Sequence, residues 1–173
     1  MGLGRLMAIA VAIIVSISQQ SHAQTRDNVL RGLDEVDVTV EELTESNKAC
    51  GIDEDAVTNA IKYPVSSSYP RIEPSAPVVF YVRVTSIFDR ADSGCFSNVD
   101  VQVYAVQSVT LEFSGANRFL RVMLWQKNVV LSNSRVRHPR FVTETVDESV
   151  KKFITDWNLD NKSETGTRTR GRQ

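Results

Sequence analysis

Apolar and polar positions along this chain repeat with two different periods. Val36, Val38 and Val40 alternate with Asp37, Thr39 and Glu41, and that period of two predicts a strand with one buried face within residues 33–43. Residues 44–51 read as a polar connection. The pattern then changes: Ile52, Ala56, Val57, Ala60 and Ile61 share one helical face. Asp53 is placed to cap that helix, Glu54 and Asp55 suit its positive end, and Pro64 is expected to stop it. Residues 65–76 (three consecutive serines, then Pro70 and Pro74) read as a loop.

Alternation returns in residues 77–88, where Val78, Phe80, Val82 and Val84 face one way and Tyr81 and Arg83 the other. A turn at 89–94 leads to a long valine-rich strand over 95–113. Its phase shifts at Val106-Gln107-Ser108, which suggests a β-bulge there. A tight turn at 114–117 precedes a strand over 118–131, with Leu120, Val122 and Leu124 on one side and Met123 and Trp125 on the other. Residues 132–140 read as a basic loop. Val142, Val146, Val150, Phe153, Ile154 and Trp157 then form the apolar stripe of a helix over 142–159. The resulting expectation is one α+β domain over residues 24–160. It has a four-stranded, mainly antiparallel sheet with two helices on one face, in the order β-α-β-β-β-α.

The ends of the chain add a compartment. Arg5, the apolar run 7–15 and Ser21-His22-Ala23 have the layout of a signal peptide over residues 1–23, so the protein is expected in the periplasm or outside the cell. The apolar run is too short to span a bilayer, which takes about 20 residues. In an oxidising compartment Cys50 and Cys95 are expected to pair, closing a loop whose restriction stabilises the fold by about 3–4 kcal/mol. Residues 161–173 carry almost no apolar side chain and read as a disordered basic tail.

Chemistry is sparse. The mature chain keeps a single histidine, His138, so a hydroxyl or thiol nucleophile has little choice of base, and two cysteines with one histidine fall short of four zinc ligands. No glycine-rich phosphate loop occurs, and no cofactor is expected. A formal net charge of −1 and the absence of a recognition motif argue against nucleic acid. The carboxylates Asp34, Glu35, Asp37, Glu41 and Glu42 leave a secreted carboxylate-dependent enzyme as the alternative, although on a strand they read as a solvated face. Two surfaces stand out instead. Arg135, Arg137 and Arg140 form a basic stretch suited to an anionic or acidic partner. Tyr81, Tyr104 and Trp125 would lie on the uncovered sheet face as an aromatic platform, or as a homodimer contact.

The segments RGLDEVDVTVEEL, ACGIDEDAV, FYVRVTSIF and VDESVKKFITDW are similar to a group of small exported bacterial proteins without an assigned activity. That resemblance implies an export signal, one α+β domain and a C-terminal helix ending near Asp156-Trp157, and it carries no functional residue. The element order also looks like envelope lipoproteins that help assemble outer-membrane machinery, although the chain lacks their lipidated cysteine. The function expected from sequence is therefore a non-enzymatic binding or adaptor domain whose partner is an unidentified protein or envelope component.

Overall fold

The computed structural model describes residues 28–162 except Tyr69 and Asp92. The expected signal peptide and all but the first two residues of the expected tail lie outside that range. The chain folds as α+β, in the order β1 (Glu35–Val40), α1 (Glu45–Ala49), α2 (Glu54–Ser66), β2 (Arg71–Ile72), β3 (Val78–Asp89), β4 (Gly94–Thr110), β5 (Asn117–Ser134) and α3 (His138–Asn161). The expected four strands and two helices are thus five strands and three helices. One sheet runs β2-β1-β3-β4-β5. The pairs on either side of β1 are parallel, and β3-β4-β5 is an antiparallel meander.

Both added elements are short and held by polar groups, which is why no hydrophobic period announces them. Thr44 caps α1 by accepting from the Asn47 N–H, and the buried Asn47 amide donates to the Val84 carbonyl (2.6 Å), tying α1 to β3. The turn after α1 needs Gly51 twice over. Its φ is +76°, and a Cβ there would sit 3.1 Å from Pro139 Cγ. Strand β2 exists because the Arg71 N–H reaches the Asp34 carbonyl and the Glu73 N–H reaches the Val36 carbonyl, each at 2.9 Å.

Pro64 does not stop α2, which continues through Val65 and Ser66. Burial of Pro64 and Val65 offsets the lost N–H, and the hydroxyls of Ser66, Ser67 and Ser68 bond the carbonyls of the last turn at 3.0 Å. At the other end of the chain, α3 starts at His138, inside the stretch expected to be loop, because Pro139 supplies helical φ in the first turn. Helix α3 also extends through Asn161, whose side chain accepts from Gly32 N–H and donates to the Leu30 carbonyl, both at 2.9 Å. The N-terminal turn is further clamped to α3 by the Trp157 indole N–H on the Leu33 carbonyl (2.7 Å).

Helices α2 and α3 contribute to one apolar cluster on one sheet face, and α1 joins at its edge through the C-cap Cys50. Phe80, Val82, Val84, Val99, Val101 and Val103 meet Val57 and Ile61 of α2 and Val142, Val146, Val150 and Phe153 of α3. Phe153 sits at the centre, edge-on to Phe80 (centroids 5.3 Å) and Trp125 (5.6 Å). Cys50 and Cys95 are disulfide-bonded, with Cα atoms 5.8 Å apart, and close the end of the core beside α1. No described helix is long and apolar enough to cross a membrane.

Candidate functional site

The opposite sheet face is covered by no described helix. The sequence places Trp125 there, and the structure does not. Val103 pairs with Trp125 and Tyr104 with Met123, so Leu124 is left without a partner in a bulge of β5. That extra residue turns Trp125 toward the helices, where its indole N–H donates to Asp156 (3.1 Å). The phase break at Val106-Gln107-Ser108 has another cause. There β4 leaves the body of the sheet, and alternation loses its meaning because both faces are exposed.

What remains on the uncovered face is a polar lattice rather than an open aromatic platform. Tyr81 and Tyr104 do meet, with centroids 6.2 Å apart and rings tilted by 58°. Tyr104, however, is only 7% exposed, because the Arg121 guanidinium lies 4.9 Å above its ring. The Tyr81 hydroxyl donates to Glu41 Oε2. Burial, followed by the hydrogen bond and negative charge of Glu41, pushes the Tyr81 phenol up to about 12. Asp100 is 2% exposed on this uncovered face. Its carboxylate accepts from Arg83 (3.0 Å), Gln102 (2.7 Å) and Gln126 (2.9 Å), and these long side chains form the lid that buries it.

The basic stretch is split in part: Arg137 and Arg140 line one cavity with Phe141 and Glu144, and Arg135 does not. Arg135 follows the end of β5 and stacks over Phe88 (5.4 Å), Arg137 is the N-cap of α3, and Arg140 lies in the helix, paired with Glu144 at 2.7 Å. The start of α3 therefore keeps Arg137 and Arg140 beside one cavity. Among the expected acid/base candidates, Glu35 is paired with Arg71 (2.6 Å) and Glu41 holds Tyr81. The buried carboxylates Asp100, Asp156 and Asp160 are each engaged in holding the fold, Asp160 by accepting from the Leu30 N–H (3.2 Å). No three described His, Cys, Asp or Glu side chains gather as a metal site.

His138 is fully buried, not a loop residue. Its Nε2 lies 2.7 Å from Ser97 Oγ, which is 2.6 Å from Ser86 Oγ, and its Nδ1 has no hydrogen-bond partner among the described residues. Burial lowers the imidazole pKa. The Ser86–Ser97 pair was legible in principle. Both serines fall in phase with the inward valines of β3 and β4, where a polar residue calls for an inward partner.

The exposed apolar side chains mark another place. Beyond Val106, whose N–H still reaches the Pro77 carbonyl (3.3 Å), no described third strand accompanies β4 and β5. They continue as a two-stranded ribbon ending in the loop 111–116. Phe113 at its tip is 87% exposed and Phe119 is 80% exposed, with Val106, Leu120 and Met123 exposed nearby. Strand length was the available signal. The 19 positions of the expected strand 95–113 exceed the 12 of its neighbour 77–88, so the surplus has only one strand to pair with. No protein-family model matches this sequence, and no curated protein matches it.

Proposed function

We propose that this chain is a non-enzymatic binding module of an oxidising, extracytoplasmic compartment, and that it grips a protein or other envelope component with the β4–β5 ribbon and the adjoining polar face. The observation that carries this reading is the concentration of large exposed apolar side chains on the ribbon. Two strands without a third are marginally stable on their own, and Phe113 and Phe119 add unburied apolar area. A partner that covers them removes both costs. The Cys50–Cys95 disulfide supports the compartment, since such bonds persist where thiols are not kept reduced. The weight moves from the arginines to the ribbon because Arg140 already has Glu144 and Arg135 already stacks on Phe88.

The test is cross-linking of the full chain in its native envelope, followed by purification and mass spectrometry, with a Phe113→Ser, Phe119→Ser double variant beside it. The expected result is a recurrent partner that the double variant loses. Tyr63→Ser, at an equally exposed aromatic on α2, should keep it. Identical recovery from both variants would remove the ribbon as the binding surface.

A further inference from the structure

The two edges of the sheet are built differently. The β2 edge consists of two residues, Arg71 and Ile72, and is bound over by the Arg71–Glu35 ion pair. That is how proteins blunt an edge against unwanted pairing. The β5 edge has 18 residues, and no described strand pairs with its outer side. Its first half carries the protective devices Arg118, Arg121 and the bulge at Leu124, and Lys127, on the helix-side face opposite Val101, follows at the start of the second half. From Asn128 to Ser134 the strand has no charge, no proline and no bulge.

Exposed apolar side chains gather at the same end. Ile87 and Phe96 are direct cross-strand partners on the uncovered face, and Val130, diagonal to Phe96, is 75% exposed. Val136 and Phe141, just past the end of β5, are exposed as well. This group is separate from the ribbon.

We propose that residues 126–134 of β5 pair edge to edge with the same residues of a second copy, antiparallel about Val130, to give a two-fold dimer with one continuous ten-stranded sheet. The segment is complementary to itself in that register. Val130 meets Val130, Val129 meets Leu131, Asn128 meets Ser132, Lys127 meets Asn133 and Gln126 meets Ser134. No pair sets like charges against each other, and opposed residues lie on the same face, as antiparallel pairing requires. The Ile87–Phe96–Val130 patches of the two copies become neighbours across the axis. Because β5 runs in opposite directions in the two copies, the ribbons point away from each other. The dimer thus offers two binding arms facing outward. The inference rests on the edge and not on the ribbon's function, and it stands or falls separately.

Cysteine substitution reads the register directly. Opposed Cα atoms in an antiparallel pair are about 4.5–5.5 Å apart, within disulfide range, whereas the two copies of residue 128 would be about 14 Å apart. Under mild oxidation Val130→Cys should form a covalent dimer. Asn128→Cys and Ser132→Cys should each fail alone and succeed when combined in one chain. The native cysteines are buried and already paired, so they do not compete. Light scattering on the unmodified chain should give twice the monomer mass, and Val130→Lys should give the monomer with an unchanged circular dichroism spectrum. A monomeric wild type whose Val130→Cys form does not link would overturn the dimer. Linkage through residue 128 or 132 alone would overturn the register. A dimer that survives Val130→Lys would overturn the edge as its interface.

Discussion

His138 gives the sharpest energetic consequence of this fold. The imidazole is fully buried, meets only Ser97 among the described hydrogen-bonding groups, through Nε2, and stands in the first turn of α3, where the helix dipole already disfavours a positive charge. Arg137 and Arg140 adjoin it in sequence. Burial holds its pKa below the ordinary 6.5, so the unfolded chain binds a proton there before the folded chain does. Stability from the neutral imidazole is therefore full above about pH 6.5 and is lost as pH falls below it. The loss approaches about 1.4 kcal/mol per pH unit. Integrated from pH 7.5 to 5.0, its ceiling is about 2 kcal/mol, reached if the folded imidazole stays neutral throughout. For a domain of this size that amounts to about 6 °C in melting temperature. The perturbation is His138→Gln, whose amide keeps a partner for Ser97 and does not titrate. Thermal and urea unfolding of both proteins should be followed from pH 7.5 to 5.0. The wild type should lose stability faster, with the gap opening below pH 6.5. Parallel curves would refute the reasoning, since they would mean that His138 gains no extra proton on unfolding.

Two further measurements test other parts of the structure. The Cys50–Cys95 bond spans a sequence separation of 45, and the loop-closure entropy of such a loop amounts to about 4 kcal/mol. Replacing both cysteines by alanine should lower the melting temperature by about 10 °C or more, and an unchanged value would show that closure contributes nothing. Tyr81, with its phenol pushed up to about 12 by burial and by Glu41, should ionise well above an ordinary tyrosine in an ultraviolet absorbance titration. Its contribution to stability is present below pH 10 and fades as pH rises through about 12. Glu41→Gln should move that step down, and a step that stays in place would leave burial as its only cause.

The meander and the long helix were legible because each obeys one period over many residues. Val99, Val101 and Val103 announce β4, and Val142, Val146, Val150 and Phe153 announce α3. The disulfide was legible from compartment and cysteine count. The rest was hidden for local reasons. One helical turn capped by Thr44 and a two-residue strand offer no period to detect. The fate of Trp125 depended on whether one residue, Leu124, bulges out, and a one-residue slip exchanges the two faces of a strand. The basic run was divided in part because Pro139 started a helix within it: Arg137 and Arg140 border one cavity at the start of α3, and Arg135 stacks over Phe88. Of the three expected aromatics, Tyr81 and Tyr104 share the uncovered face and Trp125 does not. The two tyrosines meet, but their neighbour Arg121 covers one of them, and nothing in the spacing of a sequence reports what lies over a ring.

The uncovered face and the ribbon differ in a way that bears on how a partner would be held. On the face, Asp100 is fixed by three donors, Tyr104 lies between Tyr81 and Arg121, and Tyr81 is tied to Glu41 on the neighbouring connection. Side chains already immobilised lose little entropy when something docks on them. The ribbon has no such lattice. Its strands hold only each other, and its largest side chains face water. On the proposed reading, apolar area there would supply the gain on binding, and the ribbon could adjust its course to a partner's shape because no described third strand constrains it. A rigid polar base would set orientation while a compliant apolar arm supplies affinity. If the proposed binding role holds, the lattice's hydrogen bonds would keep the sheet side of the surface in shape before any partner arrives.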